Sequence, residues 1–592
     1  MFAMTDKSSE SRYELAKVAM GEAEADLAVV NGDIVNVYTG EVLSGDTVLV
    51  KGSRIAYAGK NAAKSIGLDT RVIDAAGRTL IPGLIDGHTH MDYLFSIGEV
   101  CRFAMKTGTT SIISETTGVG FKLGYRGILE FLKSTRHQPV KFWLTFPPIV
   151  STSPITVEHT LSLSEMQRLL RRKEVLGLGE LFWGPAVNGD QRLLVTIEEA
   201  LKAGKTLEGH AAGAGENKLQ AYAALGFTSD HEPTTADEVL ERMRLGMSVM
   251  TREGEIREDL EAISQIKNRP IDFRRLCISS DGLGPWQLVQ QGYMDHIVQK
   301  AIDLGFPPVQ AIQMATLNVA EHFKLDNIIG GIAPGRFADI VIVPDLTTIK
   351  PEVVISNGQV VAQNNKLAVQ PRRHIYAPFT RSAIHLDREL HEADFAVGTA
   401  SCSPTVKVRV IDLVTNLLTK EAIVDLRVEN SQIQTDAGTG IIKIAAVEHC
   451  HLPGKTFTGF IRGLGLKEGA IGVSTGWNIT DIIVAGANGR DMALAVNRIK
   501  ELNGGVVVCQ NGTILAELAL PVGGIISLEP MEVLADKLTS IQQAAMKMGC
   551  TSPDIRTTIS ALTSGAIPFL RICESGLFDV KLNKLVGLLV ND

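Results

Sequence analysis

The chain has 592 residues, of which 45% are hydrophobic and 21% charged, with a formal net charge of −8. That composition argues against disorder, and the lack of any dense Lys/Arg stretch argues against a nucleic-acid partner. Seven scattered cysteines without a CxxC pair argue against a disulfide framework or a cysteine zinc site, and fit a reducing cytoplasm.

The polar, acidic start MFAMTDKSSESRYELAKVAMGEAEADLAVV does not read as a signal peptide. No apolar run is long enough to span a membrane. The expected setting is the cytoplasm, with no membrane. Residues 10–23 predict a short helix. The runs DLAVVNGDIVNVYTG, DTVLVKGSRIAYAGK and RVIDAAGRTLIPG follow, separated by Asn-Gly and Gly-rich turns, which predicts a small β unit.

After Pro82 the texture changes. Strand-like runs appear at 111–117, 141–146, 175–181, 205–212, 227–232, 247–253 and 276–282. Amphipathic helices are predicted between them, at 162–175, 196–204, 217–226 and 236–246. About eight β–α alternations over roughly 250 residues predict an α/β fold of the (β/α)8 TIM-type. Short strands return at 330–346 and 351–364, as if to complete the earlier β unit. Residues 371–400 read as a polar connector. A further α/β region then includes TVKVRVIDL, VVVCQNGTILAEL and a helix over 530–549. The expected organisation is therefore 1–81 as the N-terminal part of a split small β domain, 82–334 as the barrel, 335–370 as its return segment, and 371–592 as connector and C-terminal α/β domain.

The chemistry starts at IDGHTHMD. His88 and His90 are two apart, so on a strand both imidazoles face one side. At the C-terminal end of a barrel strand that side is the active-site mouth. Two neutral imidazoles aimed together chelate Zn, Mn or Fe. Glu180 in LGLGE, His210 in LEGH, His231 in SDHE and Asp281 in SSDG each follow an apolar run and precede a loop. Singly they read as caps or solvated loop residues. Together, six ligands suffice for two divalent ions, with Glu180 suited to bridge them. Such a centre lowers the pKa of water towards neutrality. Asp281 is the expected proton shuttle. Glu232 is a second candidate for proton transfer, or else a residue that orients a ligand histidine. His449-Cys450-His451 also resembles a ligand cluster, but reads better as an ordinary polar stretch. The glycines of GGIAPGRFAD read as turns, because no GxxxxGK[ST] is present.

IPGLIDGHTH, GLGE, GHAAG, TSDHE, LGMSVMTREGE, ATLNVAEHF, APGRFADIVI, GLGLKEGAIG and LALPVGGI together resemble the amidohydrolase superfamily, and within it the adenine deaminase family. The resemblance covers nearly the whole chain. It implies a barrel, a split β domain, an extra C-terminal domain, a binuclear centre on the same six residues, and self-association into a homo-oligomer. Four stretches depart from the family pattern: SETTGVGF (114–121), PPIVSTSP (147–154), Gly292-Tyr293 and WNITD (477–481). The metal set is retained while residues expected around the substrate differ. The expected activity is cleavage of a C–N bond in a small molecule, by deamination of adenine or a related aminated heterocycle. An amide or cyclic-amide hydrolase on the same site, and a non-catalytic ligand-binding relative, are the alternatives.

Overall fold

The computed structural model describes residues 8–147, 151–435 and 437–590. Pro148–Val150, inside the PPIVSTSP stretch, lie outside the described residues. A helix spans Ser8–Met20. Strands β1 (Leu27–Asn36), β2 (Glu41–Lys51), β3 (Arg54–Gly59), β4 (Arg71–Asp74) and β5 (Thr79–Pro82) follow.

Eight short parallel strands come next: β6 (Leu84–Thr89), β7 (Thr109–Ser114), β8 (Lys141–Phe146), β9 (Val175–Phe182), β10 (Thr206–His210), β11 (Ser229–Asp230), β12 (Ser248–Arg252) and β13 (Leu276–Ser279). They form a parallel run from β6 to β10 and another from β11 to β13. Two seams join the runs. Thr228 N donates to Leu207 O at 3.1 Å, and Asp281 N donates to His88 O at 3.0 Å. The result is a ring of eight strands, a TIM-type barrel. β6, β7 and β8 are buried at every residue, as expected for strands covered on both faces.

Some of the helices between the strands begin where side chains cap them. Asp190 accepts from Arg192 N and Leu193 N ahead of Gln191–Lys202. Thr235 accepts from Glu238 N ahead of Ala236–Arg244. β11 keeps two residues where the sequence suggests six. Asp230 turns its carboxylate back onto Ala211 N and Glu232 N, and Pro233 has no N–H to continue the ladder. His231 and Glu232 are thereby released into the mouth.

After the barrel, β14 (Ile340–Val343), β15 (Val353–Ser356), β16 (Gln359–Gln363) and β17 (Lys366–Leu367) pair on through β14 to β5. One nine-stranded sheet is thus built from chain on both sides of the barrel. Lys141, fully buried at the start of β8, meets Asp339 at 2.6 Å and ties barrel to sheet. Beyond Ala400, strands between Thr405 and Ala519 form a second nine-stranded sheet, with helices at Gly489–Glu501 and Met531–Lys547.

Candidate metal centre

β6 carries His88 near its end, with His90 just past it. β9 supplies Glu180, β10 ends on His210, and His231 and Glu232 follow β11. Asp281 lies two residues beyond β13. All seven therefore stand at the C-terminal ends of strands, where barrel sites form.

Local structure holds them there. Asp86 is buried one turn of pleat behind His88. It accepts from Ser280 Oγ at 2.5 Å, from Ser280 N at 3.1 Å and from His88 N at 3.4 Å. One carboxylate thus locks β6 to the loop that presents Asp281. Asp281 itself sits in the left-handed region, with φ 54°. Asp and Asn tolerate that conformation better than most residues, and it turns the side chain across the mouth.

The ligand-type atoms form two groups, each within 4.8 Å. One contains His88, His90, Glu180 and Asp281; the other contains Glu180, His210 and His231. Glu180 belongs to both. Its Oε1 lies 3.1 Å from His231 Nε2, 3.5 Å from His90 Nε2, and 3.7 Å from both His88 Nε2 and His210 Nδ1. Asp281 Oδ1 lies 3.2 Å from His88 Nε2 and 3.5 Å from His90 Nε2. The donor set of imidazoles and carboxylates suits a divalent cation. Among the described residues, His88 Nε2 is buried with no hydrogen-bond partner, which is the condition of a nitrogen shaped for a metal.

The electrostatics agree. Burial alone would discharge His88, yet Asp281 and Glu180 carry its pKa up to about 10. Burial likewise opposes charge on Glu180 and Asp281, but the surrounding imidazoles hold both carboxyls well below the usual range. Without metal, protons on histidine supply the positive charge that cations would bring.

Glu232 faces the same mouth. Its Oε1 is 3.5 Å from both His210 Nδ1 and His231 Nε2, and it pairs with Arg252 Nη1. Arg252 is a residue that sequence reasoning missed, although it lies in the quoted motif LGMSVMTREGE. At the end of β12 it also reaches Asp259 at 2.9 Å and Asp281 Oδ2 at 3.6 Å. Its side chain is 3% exposed. Arg252→Met leaves buried carboxylates without their cation, so urea unfolding of the metal-free protein should show a loss of about 3–5 kcal/mol. An unchanged midpoint would mean that the histidines alone compensate these acids.

A cavity of about 570 Å³ opens over the cluster. His90, Glu180, His210, Glu232, Arg252 and Asp281 line its floor. Its outer wall comes from much later in the chain: Thr415–Leu418, Trp477, Asn478, Arg556 and Ile567–Pro568. Arg556 Nη2 meets Glu255 Oε2 at 2.9 Å, joining that wall to the barrel loop after β12. His449 and His451 are placed elsewhere. His449 Nδ1 faces Ala383 O at 3.1 Å and His451 stacks on His159; neither belongs to a metal-type group among the described residues.

The amidohydrolase family matches residues 79–361, and the adenine deaminase C-terminal domain matches residues 416–584. Over nearly its full length the chain is similar to the adenine deaminase of Mesorhizobium japonicum, at 34% identity over 98% of each chain. Adenine deaminase 3 of Rhizobium meliloti is 36% identical over 97% of each, and the adenine deaminase of Moorella thermoacetica 33% identical over 98% of each. The chain belongs to the adenine deaminase family.

Against the adenine deaminase pattern, the departing stretches fall in different places. Thr117 of SETTGVGF and Trp477 and Asn478 of WNITD line the cavity. Gly292-Tyr293, expected near the substrate, does not. Tyr293 is fully buried, and its hydroxyl donates to Asp86 Oδ2 at 2.7 Å. It braces the scaffold behind the histidines, because the helix that begins after it, Met294–Asp303, packs against β6 and β13.

Proposed function

We propose that the chain is a metal-dependent hydrolase that removes the amino group of adenine or a related aminated heterocycle as ammonia. The family it belongs to supports this, and one geometric observation carries the site: a single carboxylate oxygen, Glu180 Oε1, shared by two ligand groups. His88, His90, Glu180 and Asp281 would hold one divalent ion (Mn, Fe or Zn), and Glu180, His210 and His231 a second. When bound, such ions supply an activated water and polarise the attacked group. Asp281, between the histidines and Arg252, would take a proton from the attacking water, and Glu232, on the cavity floor, would pass a proton to a ring nitrogen or to the departing amine.

The cavity chemistry favours a neutral heterocycle over a carboxylate-bearing amide. Two of its arginines are already matched by acids, Arg252 by Glu232 and Arg556 by Glu255. Asn416 and Asn478 also line it, and can read a purine edge. The same reading divides the chain into a β domain from 1–81 and 335–370, a barrel over 82–334, and a connector with C-terminal domain over 371–592.

An aminopurine panel with ammonia detection tests the activity. The expected product is an oxo-heterocycle with one ammonia. Metal-loaded protein that releases no ammonia, or yields a carboxylate, overturns the reading. Metal uptake should also release protons, because His88 binds one in the metal-free protein and ligation needs the neutral ring. Affinity then falls as pH is lowered, by about tenfold per pH unit for each proton displaced. Calorimetry in buffers of different ionisation heat measures that number.

A further inference from the structure

Glu115 follows directly on β7, in the stretch that departs from the family pattern. Its backbone N donates to Thr89 O at 2.8 Å, between the two histidines of HTH. That bond aims the side chain at the centre. The residue is 1% exposed, and among the described residues neither carboxylate oxygen has a hydrogen-bond partner. A buried carboxylate left so is costly.

The surroundings make room for it. A Cβ on Gly179 would lie 1.7 Å from Glu115 Oε2. Gly179, immediately before Glu180, has no side chain where Glu115 needs the space. On the other side, Glu115 Oε1 lies 3.7 Å from His88 Nδ1. The opposite nitrogen of that ring, Nε2, is the one that faces Asp281 and Glu180. The His88 imidazole therefore stands between the ligand cluster on one edge and an unpartnered carboxylate on the other.

We propose that Glu115 is a positioning residue of the metal centre. When Nε2 of His88 ligates, Nδ1 must carry the proton, and Glu115 is the acceptor that fixes this tautomer. A carboxylate in that relation to a ligating histidine orients the ring and raises its basicity. The 3.7 Å separation exceeds hydrogen-bond length by about half an ångström, which a small ring rotation closes. Bound cations would also add positive charge beside Glu115, beyond what the His88 imidazolium offers it in the metal-free protein. The proposal rests on the reading of His88 as a metal ligand.

Glu115→Gln tests it, with metal content and release to a chelator measured alongside thermal unfolding of the metal-free and metal-loaded forms. The variant should bind metal about 10–100-fold more weakly. Relative to the parent, its loaded form should lose more melting temperature than its metal-free form does. Gly179→Ala, which displaces the carboxylate instead of neutralising it, should cost metal retention in the same way. In a Glu115→Ala background the added methyl has space, and Gly179→Ala should then have no further effect.

A Glu115→Gln protein that holds metal like the parent overturns the proposal. So does one whose metal-free and loaded forms lose stability equally, because that marks a packing role. A parent protein that binds no metal would instead overturn the underlying reading, so the two failures are distinguishable.

Discussion

Glu180→Gln should strip metal from both positions at once and lower turnover by about four orders of magnitude. The reason is geometric. Oε1 alone lies 3.1–3.7 Å from four imidazole nitrogens, and both ligand groups lose their common member if it is neutralised. A neutral amide presents one oxygen with a weaker pull and one nitrogen that cannot ligate. Removing His210 should behave differently, because the four-residue group of His88, His90, Glu180 and Asp281 remains whole. Elemental analysis of the purified proteins checks the contrast. The glutamine variant is expected below one equivalent per chain, and His210→Ala near one. A Glu180→Gln protein that retains two equivalents would mean that the carboxylate does not bridge.

Asp281→Asn should lower turnover by about 10²–10⁴-fold while leaving the fold intact. Asn tolerates the left-handed backbone at this position, with φ 54°, so no strain is introduced. Its oxygen can still face His88 and His90. What it loses is the capacity to accept a proton from water and hold it. Single-turnover ammonia release should therefore collapse while circular dichroism shows the parent fold; metal-free unfolding should show a loss at neutral pH, because the lowered pKa of Asp281 makes its charge part of the stability. Turnover close to the parent would remove Asp281 from the proton path and leave Glu232 as the remaining candidate.

The barrel was legible because short, mostly apolar strand-like runs alternate with amphipathic helices after Pro82. The six ligand-type residues were legible because each stands where an apolar run stops, and a barrel brings all such stops to one mouth. The rest needed coordinates. Arg252 looked like the polar end of MSVMTRE; only the closed ring shows that it faces inward onto Glu232 and Asp259. Glu115 looked like any acid after a strand, and its meaning comes from Gly179, sixty-four positions later, which has no side chain to fill the space. Gly292-Tyr293 looked substrate-facing as a departure from the family pattern, yet Tyr293, just before the helix Met294–Asp303, turns its hydroxyl inward to Asp86. The outer cavity wall was legible only in part: WNITD stood out as a departure from the family pattern, whereas the loop Thr415–Leu418 had no local signature until packing places it.

That wall also has a consequence for biosynthesis. The last ligand-type residue, Asp281, is made long before Ile567 and Pro568. At about 5–20 residues per second, the interval is on the order of 15–60 s. A barrel that folds as it emerges would spend this time with its histidines and carboxylates assembled beneath an open mouth. Ions can enter then without crossing the finished wall, and a substrate would meet only half of its enclosure. The order of residues along the chain would thus let metal load first and the molecule to be hydrolysed be selected afterwards.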